Sequence, residues 1–427
     1  MDLIPEEITY LINNECDSQT LFKLSQTSKE NLNIYQQLIF IKCEVNYNNK
    51  LLFYDIKQIK KIKNINDITD KEIKDLINIT DLNLDKNENI SNEGIKYLTN
   101  LTNLILENNN KISNDGIKNL ISLTKLNLGI NEKITDEGIK NLTNLTNLNL
   151  SCNNNITNEG LKYLTNLTNL RLEWNKNITD EGIRCLTNLT ELYLCSDEKI
   201  TDLGIKHLIC LTELHLNYNK NITDEGIKHL TNLTHLELGL NDNITNDGIK
   251  HLTNLKILSI NVNKYITNEG IKQLTNLICL DLGWNDTITD KGIKNLTKLT
   301  KLNLGSDTKI TDEGIKNLTK LTKLDLGSNT NISDEGIKNL TNLINLKLGK
   351  NNDITNKGIK NLTKLIKLYL DYNENITIIG IKKLISLTYL RFGANKNICK
   401  NINKIKRAIK HIDIQKWQKS YKTSKIF

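Results

Sequence analysis

Glycine stands at residues 94, 116 and 138 and then at every 22nd position to 380, fourteen times without insertion. A chain that repeats one short unit this strictly does not fold around a single central core; it stacks equivalent turns on one another. The other seven of its 21 glycines (129, 239, 283, 305, 327, 349 and 393) share one further repeat position, so none is left for a phosphate-binding loop. The unit beginning at Leu145 shows the rest of the pattern. Leu148-Asn-Leu150 alternates and reads as a short strand, while Ile156, Leu161 and Leu164 are spaced for a helical turn that Thr157 can cap. Asn fills one column, at 87, 109, 131, 153, 175 and onward to 395, with Asp at 197 and 307. An amide in that column can satisfy both donors and acceptors of the turn after each strand. The prediction is an α/β solenoid with a parallel β-sheet on the concave face and short helices outside. Fifteen units run from Leu82-x-Leu84 to Leu390-x-Phe392. With strands about 4.8 Å apart, the inner arc spans roughly 65–70 Å, a scale suited to a protein ligand.

Composition narrows the function classes. No stretch approaches the ~18 apolar residues of a membrane span, and the start MDLIPEEI lacks the form of a secretory signal. Eight scattered cysteines make no CxxC pair, and N-x-T sequons recur, as at Asn144, Asn166 and Asn188. Both features favour a reducing, intracellular setting, cytoplasmic or nuclear. The net charge of +8 resides in residues 400–427, where nine Lys or Arg face one acid, Asp413; residues 1–399 are neutral. Nucleic acid is therefore not expected as a partner, save at the basic tail. No nucleophile motif, P-loop or dinucleotide fingerprint is present, so the chain reads as non-catalytic and without cofactor.

The run Leu123-Thr-Lys-Leu126-Asn-Leu128-Gly-Ile-Asn131, followed by Ile134-Thr-Asp-Glu-Gly-Ile-Lys-Asn-Leu142, resembles the leucine-rich repeat. The likeness covers residues 57–399 and is nearest to the repeats of F-box/leucine-rich-repeat receptors; it implies a horseshoe. The N-terminal order Pro5-Glu-Glu-Ile8, then Leu21-x-x-Leu24-x-x-x-Ser28-Lys29, is similar to an F-box, with Asn31 near the place of that family's Trp. The pairing resembles those of AT-rich giant-virus or amoebal genomes, an association carried by the codon bias behind the many Asn, Ile and Lys residues. The resemblance implies a small all-α domain at 1–45, a linker and degenerate N-terminal cap at 46–67, the solenoid at 68–399, and a basic C-terminal cap and tail at 400–427. It also implies a substrate receptor of an SCF-type ubiquitin ligase. Leu3, Ile4, Pro5, Ile8, Leu11, Leu21 and Leu24 would dock a Skp-type adaptor, which carries the cullin and RING subunits. The alternative is an interaction scaffold with no link to ubiquitin ligation.

Residues flanking the strand leucines face the concave side. Arg171, Glu173, Trp174, Glu191, Tyr193, Glu213, His215, Tyr218, His235 and Glu237 form an aromatic and acidic zone there, the expected site for a target protein. Its carboxylates suggest a target segment bearing Lys or Arg. Glu213 with His235, and His215 with Glu237, make a cross-strand checkerboard, read as opposite-charge pairing with no metal. His207, His229 and His251 read as a solvated outer row. The Lys or Arg column 74, 96, 118 and onward to 382 reads as helix-face ion pairs, with an acid often three residues earlier, as Glu137 before Lys140 and Glu181 before Arg184.

Overall fold

The computed structural model describes residues 45–46, 61–63, 69–409 and 412–416, except 75, 197, 198, 307 and 394. The F-box-like segment, with Leu3, Ile4, Pro5, Ile8, Leu11, Leu21 and Leu24, lies outside the described residues, as does Trp417–Phe427. The chain divides into two compact units, Met1–Leu170 and Arg171–Phe427.

Both units are built from one turn. In the second, the strand Glu213–His215 is followed by the helix Asp224–Ile227. Strand pairing is parallel and in register, with Leu214 beside Leu236 and Leu236 beside Leu258. In the first unit Leu82, Leu104, Leu126 and Leu148 align the same way across four strands. Within one turn Leu214, Leu216, Ile222, Ile227, Leu230 and Leu233 are fully buried. A single turn has only a three-residue strand and a four-residue helix, too little to nucleate alone. Its stability comes from the aliphatic side chains that adjacent turns bury, at about 1.5–3 kcal/mol each before chain entropy is counted. Among the described residues no helix is long and apolar enough to cross a membrane.

The asparagine column forms a buried ladder. Asn373 Oδ1 accepts from the amides of Asn375 (3.1 Å) and Ile376 (2.9 Å). Its Nδ2 donates to the carbonyls of Asn351 (2.7 Å) and Ile354 (2.8 Å) in the preceding turn. One side chain thus shapes its own turn and ties it to its neighbour.

A second ladder runs along the helix starts. Asp180 Oδ1 accepts from the Thr201 amide (2.7 Å), and Asp180 Oδ2 from the Thr201 hydroxyl (2.7 Å). Because that hydroxyl donates to the carboxylate, its lone pairs stay free, and it caps its own helix by accepting from the Leu203 amide. Where Asn replaces Asp the hydroxyl turns round. Asn268 Nδ2 donates to Thr289 Oγ1 (2.9 Å), and Thr289 makes no side-chain cap bond, whereas Thr267 and Thr377 accept from Asn246 and Asn356 in the same way and still cap their helices. The glycine column makes this closeness possible. A Cβ built on Gly204 would stand 2.5 Å from Asp180 Oδ1 and 3.2 Å from Asp180 Cα. The requirement is therefore one of space, and these glycines keep ordinary backbone angles.

The left-handed backbone falls elsewhere, on Trp174, Ser196, Tyr218, Leu240, Val262 and Trp284, at φ of 53–61°. From Gly305 onward it moves one residue earlier, to Gly305, Gly327 and Gly349. The bonding direction reverses with it. Tyr218 N donates forward to Gly239 O, whereas Ser328 N donates back to Gly305 O. Glycine thus fills the left-handed place in three of the later turns and Asp371 in the next, while side chains as large as Trp174 and Tyr218 carry the same strain in the earlier ones.

At the C-terminal end the helices Lys396–Lys400 and Ile402–Ala408 bury Ile398 and Ile405, in keeping with a capping role. The strand Asp413–Lys416, absent from the sequence-based expectation, pairs in parallel with Tyr389–Phe392. The outer lysines pair as expected, for example Lys140 with Glu137 (2.5 Å) and Lys228 with Glu225 (2.5 Å). These pairs are well exposed and contribute little to stability.

Candidate functional site

The second unit carries the expected target zone on Arg171, with which it begins, and on the strands Glu191–Tyr193, Glu213–His215 and His235–Glu237. In a strand of this pleat the central Leu points inward and its two neighbours outward. Arg171, Tyr193, His215 and Glu237 therefore fall in one column, with Glu191, Glu213 and His235 in the adjacent one.

The first column stacks. The Arg171 guanidinium lies 4.2 Å from the Tyr193 ring centre, and Tyr193 lies 4.1 Å from the His215 ring at 10°. His215 meets His235 edge-on at 4.9 Å. Arg171 is also held by Glu173 at 2.7 Å. His215 is only 8% exposed, so its polar partners have to come from the protein. They do. His215 Nε2 lies 2.6 Å from Glu213 Oε1, and His215 Nδ1 lies 3.0 Å from Glu237 Oε2. His235 faces the same two acids, Nδ1 at 3.3 Å from Glu213 Oε1 and Nε2 at 3.4 Å from Glu237 Oε1. The cross-strand checkerboard is therefore present in the ladder register, and it is tighter than sequence spacing alone implied.

An outer set of donors fixes the acids. The Tyr193 hydroxyl donates to Glu213 Oε1 at 2.9 Å. Asn217 Nδ2 donates to Glu237 Oε2 at 2.7 Å, and Asn217 Oδ1 accepts from the Gly239 amide at 2.6 Å. Asn217 was missed at the sequence level, because Asn is so common in this chain that one more gives no signal.

The electrostatics follow from these contacts. Hydrogen bonds from His215 and then His235 hold the Glu237 carboxyl far below the usual carboxylate range. Burial opposes the His215 imidazolium, but Glu237 and Glu213 outweigh it and raise its pKa. Burial also opposes ionisation of Glu213, yet donors from His215 and Tyr193 bring its pKa down. Burial, with the Glu213 hydrogen bond, pushes the Tyr193 phenol up, so it stays a donor. Burial likewise pushes the Cys195 thiol up to about 11, which keeps it protonated and a poor nucleophile.

This arrangement corrects one expectation. Glu213 and Glu237 are engaged by histidines, and Glu173 by Arg171, so these acids are not open to a basic target segment. The zone also divides in two. Tyr193 belongs to the half-buried polar network, whereas Trp174 (60% exposed) and Tyr218 (44%) stand in the left-handed turn beside it. Leu240 and Trp284 (62%) continue that column as an exposed apolar rim. Farther along, a concavity of about 240 Å³ is lined by Cys279, Asp281, Lys301, Lys323, Asp325 and Lys347, among others. Lys347 there pairs with Asp325 at 2.8 Å.

Segments 76–99, 119–142, 141–165, 163–187, 207–230, 229–252, 273–297, 295–318 and 317–340 match the model of the leucine-rich repeat. These segments are thus leucine-rich repeats. No curated protein matches it. Among solved structures it is similar to a leucine-rich-repeat protein of Leptospira interrogans, with 28% identity and a TM-score of 0.63, over 86% of this chain and 99% of that one. It is also similar to TLR13 in its complex with ssRNA13, with 28% identity and a TM-score of 0.55, over 74% of this chain and 49% of the receptor chain. The Drosophila Toll–Spatzle complex aligns at 16% identity and a TM-score of 0.50, over 82% of this chain and 49% of that one, a likeness of fold alone.

Proposed function

We propose that the chain is a non-catalytic scaffold that binds a protein partner through the strands from Arg171 to Glu237 and the rim beside them. The observation that supports this most is the exposure of Trp174 and Tyr218 next to a rigid polar network. Exposed aromatics on a fixed support combine large contact area with few rotors to immobilise, the usual makeup of a binding hot spot. Arg171, Glu173, Glu191, Tyr193, Glu213, His215, His235 and Glu237 then serve mainly to set the surface on which the partner rests. Leucine-rich repeats are typically binding scaffolds, which favours the same reading. Replacing Trp174 and Tyr218 together by Ala is expected to weaken partner capture by about 2 kcal/mol or more, roughly 30-fold. Proximity labelling with the wild-type chain identifies the partner, and recovery is then compared across variants. Loss of the partner in a Lys140→Ala, Lys162→Ala variant, with retention in the aromatic variant, would move the site to the outer face.

A second reading rests on the N-terminal sequence. Pro5-Glu-Glu-Ile8 and Leu21–Lys29 support docking of a Skp-type adaptor by Leu3, Ile4, Pro5, Ile8, Leu11, Leu21 and Leu24. In this reading the scaffold is an intracellular substrate receptor of an SCF-type ligase. It would act by holding a target near the conjugating enzyme and so raising its effective concentration. Co-purification with the adaptor, lost on deletion of residues 1–45, is the expected result. Adaptor capture that survives the deletion removes the ligase role and leaves the scaffold.

A further inference from the structure

We propose that Glu213, His215 and His235 form a binding site for a divalent transition metal, with Glu237 as the carboxylate that orients both imidazoles. The reasoning lies in which nitrogen faces which acid. The outer nitrogens, His215 Nδ1 and His235 Nε2, both face Glu237, at 3.0 and 3.4 Å. The inner nitrogens, His215 Nε2 and His235 Nδ1, both converge on Glu213 Oε1, at 2.6 and 3.3 Å. One carboxylate can therefore hold the outer N–H of each ring, so that its inner nitrogen can exchange the contact with Glu213 for a metal, as second-shell acids do around metal-bound histidines. The three inner donor atoms lie within 4.8 Å of one another. Donors bound to zinc at about 2.0–2.2 Å stand roughly 3.3 Å apart, so small side-chain rotations complete the site.

Donor accounting favours the metal. His215 and His235 lie edge-on at 4.9 Å in a half-buried spot between two carboxylates. With a metal each ring is neutral, donating one N–H to Glu237 and giving one lone pair to the ion. The divalent charge then balances the two carboxylates. The support is already rigid. Tyr193 stacks on His215 and bonds Glu213, and Asn217 pins Glu237. Two imidazoles and a carboxylate suit zinc and its neighbours better than calcium or magnesium. Three protein ligands leave a position for water or a partner's side chain. The outer histidines lack this arrangement; His207 Nε2 contacts only the Arg184 carbonyl among the contacts seen, at 2.7 Å.

The test is calorimetric titration of the full, partner-free chain with Zn²⁺, so its outcome does not depend on the scaffold reading. One saturable site per chain is expected, abolished by His215→Gln or by His235→Gln. Glu237→Gln should keep the stoichiometry and weaken affinity 10–100-fold. A His207→Gln, His229→Gln, His251→Gln variant should bind as the wild type does. Cobalt(II) in the same site should give ligand-field bands without a thiolate charge-transfer band. Circular dichroism of each metal-free variant checks folding, and Glu213→Gln supplies a further ligand deletion should a histidine variant unfold. Absence of a saturable site in the wild type overturns the proposal. So does a site that survives both histidine variants, or one that the outer triple variant removes.

Discussion

Replacing Asn373 by Ala is expected to destabilise its turn and the adjacent one by about 3 kcal/mol. The side chain is fully buried and makes four hydrogen bonds, two to amides of its own turn and two to carbonyls of the turn before. Each buried polar group left without a partner costs about 1–3 kcal/mol, and water entering the vacated space recovers part of that. Stacked turns exchange energy mainly with their neighbours, so the loss should be local. Hydrogen exchange is the appropriate measurement: the Ile376 amide should lose protection while amides many turns away keep theirs. Asn361→Ala, at an exposed position, is the control and should change stability by no more than about 0.5 kcal/mol. Equal loss of protection along the whole unit would show that the turns do not unfold separately.

Gly204→Val should cost about 3 kcal/mol, because it meets both overpacking and a broken polar tie. Its Cβ would lie 2.5 Å from Asp180 Oδ1 and 3.1 Å from Ile183 Cδ1. Clearing that space displaces the carboxylate that binds the amide and hydroxyl of Thr201, and with it the cap of the next helix. Gly204→Ala is informative beside it. The backbone angle there is ordinary, so Ala pays no φ penalty, and any loss reports the steric approach alone. An additional Asp180→Ala change should recover part of the stability lost in Gly204→Val by opening the space. A double variant as unstable as the sum of its parts would argue against contact as the cause.

The repeat period, the strand leucines and the asparagine ladder were legible in the sequence, because each is a strict column with one physical role. The pairing of Glu213 with His235, and of His215 with Glu237, was legible too, since a constant period fixes the register. Other features left weaker traces. The Asp or Asn that begins most of these helices could be seen only as a first-turn residue; its bond to the following turn needs the distance between turns. The left-handed position was hidden because Trp174, Tyr218 and Val262 occupy it, and none of them signals such a backbone. The strand Asp413–Lys416 lies past the last glycine, where the period that guided every other assignment has ended. The acids of the target zone were legible by type but not by availability, since sequence does not show that Glu213 and Glu237 are already engaged.

From Asn351 to Asn395 the asparagine ladder makes one turn chemically interchangeable with the next. Asn373 and Asn395 each donate to two carbonyls of the turn before, whatever side chains that turn carries on its outward faces. A deletion or duplication of one whole 22-residue period there would therefore rejoin the same donors to the same acceptors, while any other length change would put the amide out of phase. Copy number can drift in such a chain as a gene is miscopied, and the spine gives selection little purchase on it. What the protein distinguishes is carried by the outward residues of particular turns, and the order of those turns spells the surface.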